Sequence, residues 1–341
     1  MDVGLVLQGG GALGAYEWGI VARLVEAGIK PVAIAGVSIG AINTAAIAGA
    51  RNGDIVASLD ALWSAITLPS IPWLPQVAQA ELSLFGNPNF FSPRMDYWAA
   101  ASWPSFYSVA PMLATLDEIV DFDRLNDTRL HKVAVTATRV EDGRPVAFSN
   151  LAGPPYENQG KPLDARHILA SGSLPPGFPM SEIEGKHYID GGVFSNTPLP
   201  RLLAMLDDRQ LDTMPIFVID LFPESDGIPA TIAQAQNRMK EITYENRISA
   251  GFGGPEGLRA HGEMIRKLAG TIKADPSIAN SAEAKRLLRE RAFANIHVIE
   301  AANAPFSGDH DFSSAGVMER RERGRTAAEI WLKANRTLTA A

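Results

Sequence analysis

A serine stands between two glycines in Gly36-Val37-Ser38-Ile39-Gly40. A serine hydroxyl can attack an acyl carbonyl if a base takes its proton and N–H donors hold the oxyanion. The apolar run Val32-Ala33-Ile34-Ala35 precedes it, and Ala41-Ile42-Asn43-Thr44-Ala45-Ala46-Ile47 follows. That order reads as strand, sharp turn, helix, the nucleophile-elbow pattern, with Gly36 and Gly40 keeping side chains away from the apex. The plain alternative is a serine that only occupies a strand–helix turn, so its surroundings decide.

Gly9-Gly10-Gly11-Ala12-Leu13-Gly14 satisfies GxGxxG between an apolar strand and a helix. A dinucleotide-binding unit would also need an acidic residue closing the second strand. Nothing acidic lies between Ile29 and Asn52; the serine turn stands there instead. A glycine-rich turn at a helix start presents unpaired N–H groups, suited to a phosphate or to an oxyanion. Turns after two neighbouring parallel strands lie side by side. The amides of Gly9–Gly11 are therefore expected beside Ser38, as oxyanion donors to its nucleophile.

The base is harder to read. A Ser…Asp…His order would need His297 or His310, and neither sits in a distinctive motif. Asp190 follows an apolar, strand-like step and precedes Gly191-Gly192, which sets its carboxylate on a tight turn. An Asx-type turn residue would look the same. Asp309-His310-Asp311 has the composition of a weak cation site but no recognisable ligand spacing.

These residues need a scaffold. Residues 3–7 read as a buried strand, and about 15–26 as a helix closed by Gly28. Two consecutive strand–turn–helix units imply a mostly parallel sheet covered by helices. Residues 54–66 read as helix, and 132–140, 145–148, 215–221 and 295–299 as strands. Residues 231–293 read as helical with a break at Gly251–Pro255, and a last helix covers about 313–333. Its Glu319-Arg320-Arg321-Glu322-Arg323 cluster mixes signs, as a solvated face does, with anion binding as the alternative. Residues 68–116 are proline-broken and aromatic-rich, an ordered insertion expected to pack over the core. Trp73, Phe90 and Trp103 are its candidate pocket residues. The insertion could act as a moving lid or as a fixed cap.

With 341 residues, 46% of them hydrophobic, the chain can bury a sizeable core. A net charge of −7 disfavours a general nucleic-acid role. There is no cysteine, which removes disulfides, thiolates and Cys-ligated metals and suits a cytoplasmic setting. No secretory signal is visible at the start. Residues 31–50 and 61–80 are uncharged, but the first divides into strand and helix and the second holds Pro69, Pro72 and Pro75, so neither reads as a membrane span.

Together, the glycine turn, the serine turn and Asp190-Gly191-Gly192, in that order, resemble the patatin-like phospholipase family of serine acyl hydrolases. Ala170-Ser171-Gly172-Ser173-Leu174-Pro175-Pro176-Gly177-Phe178-Pro179 also resembles that family's Ala-Ser…Pro segment. The similarity covers about residues 3–222. Segments 86–94 and 240–247 resemble a bacterial subgroup with an extra C-terminal helical region.

The resemblance implies a three-layer α/β/α fold over 1–222, with 223–341 completing or packing on the same core. It implies a Ser–Asp dyad, with Ser38 as nucleophile and Asp190 as general base. Gly9, Gly10 and Gly11 would form the oxyanion hole, with amides from Gly10 and Gly11 and the turn shaped by Gly9. Gly14, Gly36, Gly40, Gly191 and Gly192 support these motifs. No cofactor or metal is implied. The expected partner is a lipid or other acyl ester, with peripheral membrane contact through the insertion as a further option. Acyl transfer by the same dyad, or a non-catalytic nucleotide- or phosphate-binding role, are the alternatives. Burial is expected to raise the Asp190 pKa and make it a usable base.

Overall fold

A computed structural model describes residues 1–153, 155–223, 228–301 and 308–335. Its centre is an eight-stranded sheet. In chain order the strands are β1 (Asp2–Leu7), β2 (Lys30–Val37), β3 (Lys132–Arg139), β4 (Pro145–Ser149), β5 (Ser181–Ile183), β6 (Lys186–Asp190), β7 (Ile216–Asp220) and β8 (Ile296–Glu300). They lie side by side as β8-β7-β1-β2-β3-β6-β5, with β4 also on β3. The run from β8 to β3 is parallel; β4, β5 and β6 are antiparallel.

Helices cover both faces, because β1 and β2 are buried on both sides. Val3, Leu5, Leu7, Ile34 and Val135 face one core, with α1 (Gly14–Glu26), α2 (Ile39–Ala48) and α3 (Ile55–Ile66). Val6, Ala33, Ala35, Ala134 and Val218 face the other, with Leu202, Leu258 and Phe293. The fold is thus α/β in three layers. After β7 the chain continues through α4 (Ile232–Tyr244) and α5 (Pro255–Ala274) to β8, which joins the same sheet. The expected break falls between α4 and α5, where Gly253 and Gly254 take φ of 75° and 95°.

The last helix, α6 (Ser314–Ala334), lies along α1. Its expected solvated cluster divides. Arg320 is buried and donates to Asp311 O at 2.8 Å, while Arg321 stacks over Trp18 at 4.2 Å. Among the described residues, no helix is long and apolar enough to cross a membrane.

The pairing on β3 positions the chemistry. Residues 134–136 pair with β2 and β4 at once, and Ala137 and Thr138 with β4 and β6 at once. A strand has two edges, so β2 and β6 share one and β4 takes the other. β2 runs parallel to β3 and ends with Val37 opposite Thr136; β6 runs antiparallel and ends with Asp190 opposite Ala137. The two strands meet carboxyl end to carboxyl end. Ser38 and Asp190 occupy the meeting point.

Candidate active site

Ser38 follows β2 directly and caps α2. Its φ of 55° and ψ of −123° lie outside the ordinary regions for a side-chain-bearing residue, which costs ~1–3 kcal/mol. Several bonds hold it there. Ser38 N–H donates to Ser171 O at 3.1 Å and to Ser171 Oγ at 3.0 Å. Ser171 Oγ in turn donates to Thr136 O at 2.6 Å, so the turn is anchored to β3. Gly40 lets α2 approach β1: a Cβ there would stand 2.6 Å from Gln8 O. Gly36 lies two residues before the serine, and Gly14 starts α1 against Ile39.

Asp190 is the last residue of β6, and its backbone is fixed by N–H donation to Ser173 O at 2.8 Å. The Ser38 hydroxyl lies close enough to favour its charged form, and Gly192 N–H donates to Oδ1 at 2.7 Å. Gly191 and Gly192 open a single 3-10 turn, with Gly191 packed on Thr136 O. Asp190 is only 5% exposed. Burial pushes its pKa up to about 6, against the opposing pull of the nearby Ser38 hydroxyl and the Gly192 amide.

The glycine turn lies against this pair. A Cβ on Gly9 would come within 2.8 Å of Ser38 Cβ. Gly9 N–H donates to Asn196 Oδ1 at 3.0 Å, and Asn196 Nδ2 returns a bond to Gly9 O at 3.0 Å. Gly9 is thereby engaged as the shape of the turn. Among the described residues, the amides of Gly10 and Gly11 have no acceptor. Gly11 has φ of 54° and packs on the Asp309 backbone, and Ala12 N–H donates to Asp309 O at 2.7 Å. A phosphate bound as in a dinucleotide loop would have to displace that carbonyl.

A buried polar chain fixes the turn from behind. Glu17 Oε1 accepts from Gln8 N–H at 2.7 Å, and Oε2 from Asn43 Nδ2 at 2.9 Å. Trp63 Nε1 donates to Asn43 Oδ1 at 3.0 Å, and Gln8 Nε2 to Thr197 Oγ1 at 2.8 Å. Burial pushes Glu17 up to about 8 despite the bonds from Asn43 and Gln8. The chain ties α1, α2 and α3 to the residue just before the glycines.

Ser38 and Asp190 open into a cavity of about 380 Å³, within the range that holds an organic ligand. Phe90, Phe91, Tyr107, Phe178 and Phe312 form most of its aromatic wall. The insertion supplies the first three. The other two expected pocket residues lie elsewhere: Trp73 is 83% exposed, and Trp103 lies under Arg94 and donates to Asp96 O. Among the described residues, no histidine hydrogen-bonds Ser38, and no group of three or more His, Asp or Glu side chains is arranged to hold a metal. Asp309 and Asp311 point to different partners, Lys240 and the Ser313 amide.

Sequence reasoning did not single out Asn196, Ser171 or Gln8 as positioning residues. Asn196 carries one usable signal: it lies in the short polar stretch that follows Asp190-Gly191-Gly192.

A family model described as "Patatin-like phospholipase" matches residues 5–203, more than half of the chain. The chain belongs to the patatin-like phospholipase family. It is accordingly a hydrolase of ester bonds, a lipid acyl hydrolase in the general sense. No curated protein sequence matches this patatin-like chain. Among solved structures it is similar to VipD from Legionella pneumophila, with 14% identity and a TM-score of 0.43, covering 97% of this chain and 67% of that one. It is also similar to the ExoU–SpcU complex from the type III secretion system of Pseudomonas aeruginosa, with 16% identity and a TM-score of 0.36. That match covers 97% of this chain and 51% of the other, so the patatin-like chain spans about half of its length.

The Asp190 environment sets the pH behaviour of any reaction that needs its anion. With a pKa near 6 it is ionised above that pH and protonated below. Initial rates across pH 4–9 on a soluble ester are expected to give an acid limb in kcat/KM near pH 6. A limb near 4 would mean that Asp190 is solvated.

Proposed function

We propose that Ser38 and Asp190 hydrolyse lipid acyl esters as a dyad through a covalent acyl-enzyme. The convergence of the two residues where β2 and β6 meet, both lining one largely apolar cavity, is the observation that carries this reading. Asp190 accepts the Ser38 proton as Oγ forms a bond to the ester carbonyl carbon. The carbonyl oxygen becomes an oxyanion and takes the open amides of Gly10 and Gly11. The carbon–oxygen bond to the alcohol then breaks, and the proton held by Asp190 passes to the leaving oxygen. Water then attacks the acyl carbon and gives its proton to Asp190; the bond from that carbon to Ser38 Oγ breaks, Oγ takes the proton back from Asp190, and the fatty acid leaves.

An aspartate with pKa near 6 is a weak base, so the amides must supply much of the rate. One such donor is typically worth ~3 kcal/mol. The aromatic wall receives the acyl chain, and the insertion covers the site as a cap. The setting we assign is cytoplasmic, with peripheral contact at a membrane. Trp73, Phe85 and Trp98 of the insertion are 83%, 79% and 88% exposed. Between residues 67 and 116 only Glu81, Arg94 and Asp96 are charged, and Arg94 pairs with Asp96 at 3.0 Å. Aromatic side chains without a basic collar insert into a bilayer by apolar contact rather than by attraction to anionic lipid.

Ser38→Ala and Asp190→Asn are each expected to lose at least ~10³-fold in kcat on p-nitrophenyl butyrate. Either variant turning over at the parent rate would remove the dyad. The raised pKa of Asp190 means that stability is lost as pH rises from the unfolded value near 4 through about 6. Asp190→Asn is therefore expected to melt higher than the parent at pH 7, by an amount equivalent to as much as ~3 kcal/mol, which separates loss of function from loss of fold. In sedimentation with phosphatidylcholine vesicles, Trp73→Ala/Trp98→Ala is expected to bind several-fold more weakly, with little change between low and high salt. Strong salt dependence would contradict apolar insertion.

A further inference from the structure

Beside Ser38, Asp190 and Ser83, the polar side chains that line the cavity are Lys240, Asp309 and His310. Lys240, on α4, donates to Asp309 Oδ1 at 2.6 Å. His310 Nδ1 stands 3.8 Å from the same oxygen, and its Nε2 is 3.4 Å from Glu81 Oε1 on the insertion. The group is fixed to the oxyanion turn, because Asp309 O accepts from Ala12 N–H and Gly11 packs beneath it.

Both cationic side chains can be reached from the cavity mouth, Lys240 being 45% and His310 37% exposed. An ammonium group has three N–H donors. Among the described residues Lys240 has a single acceptor, Asp309 Oδ1. The Asp309 carboxylate 3.8 Å away, then Glu81, raise the His310 pKa against the opposing effect of burial and favour its charged form. The Glu81 contact is long and half-exposed, so a stronger anion can replace it at small cost.

The reaction geometry gives this cluster a ligand. With a carbonyl oxygen on Gly10 and Gly11 and the acyl chain against the aromatic wall, the leaving alcohol must lie toward the open side. In a glycerophospholipid or lysophospholipid, the phosphorus is only a few bonds beyond the leaving ester oxygen. We propose that Lys240 and His310 form a subsite for the phosphate of the lipid, so that this chain favours phosphate-bearing acyl esters over neutral glycerides. The proposal rests on the acyl-hydrolase reading for its substrate, but the subsite can be measured without turnover.

The experiment compares two non-hydrolysable ligands with the same chain, decylphosphocholine and 1-O-decylglycerol, below their micelle concentrations. Affinities are measured by calorimetry for the parent, Lys240→Gln, Lys240→Arg and His310→Gln. The parent is expected to bind the phosphate ligand about tenfold more tightly. Lys240→Gln is expected to abolish that preference, His310→Gln to reduce it several-fold, and Lys240→Arg to keep it. Equal weakening of both ligands by Lys240→Gln, or no preference in the parent, would overturn the subsite. Turnover of a matching lysophosphatidylcholine and monoacylglycerol is followed in parallel. Preference in binding with no hydrolysis of either would remove the hydrolase reading and leave the subsite standing.

Discussion

The site depends on a collision of two strand ends. β2 and β6 occupy the same edge of β3 from opposite directions, and they meet at Thr136–Ala137. The sheet's hydrogen bonds fix that register, so Ser38 and Asp190 face each other without any local motif that contains both. The same junction supplies the anchors: Thr136 O accepts the Ser171 hydroxyl that holds the Ser38 turn, and Gly191 packs on that carbonyl. A one-residue slip of β6 would put its side chains on the other face of the sheet. Asp190 would then point away from Ser38.

Holding the pair in place has a cost, and the fold distributes it. Ser38 keeps a strained backbone, offset by N–H bonds to Ser171. Asp190 keeps a carboxylate in a nearly dry site, a cost offset by the Gly192 amide and the nearby Ser38 hydroxyl. Behind the glycine turn, Glu17, Asn43, Gln8 and Thr197 form a buried polar chain in which each named bond satisfies a group that would otherwise be stranded. Gly10 and Gly11 keep open amides because their neighbours, Gly9 and Ala12, are the ones bonded to Asn196 and Asp309. The turn is rigid on either side and open in the middle, the arrangement an oxyanion requires.

Much of this was legible in the sequence, for local reasons. The first two strand–turn–helix units announce themselves by apolar runs and glycines, and both turns fall where expected. Asp190 was readable only by resemblance, since an aspartate before two glycines is equally at home in an ordinary turn. The short hairpin of β5 and β6 carries too few apolar residues to stand out: Lys186 and His187 occupy two of its positions. Composition marked 68–116 as an apolar insertion but could not say which side each aromatic faces. Phe90 and Phe91 turn inward and Trp73 and Trp98 outward. Asn196 and Lys240 act across long sequence distances, and a lone lysine on a helix ordinarily reads as solvated.

The central claim is that Ser38 is a nucleophile activated by Asp190, and its most direct measurement is a covalent one. A fluorophosphonate reacts with an activated serine and leaves an adduct that peptide mass spectrometry can locate. The account predicts stoichiometric labelling at Ser38 in the parent at pH 7.5, slowed by at least ~10²-fold in Asp190→Asn. A label on another serine, or Ser38 labelled at the same rate without the Asp190 carboxylate, would contradict it.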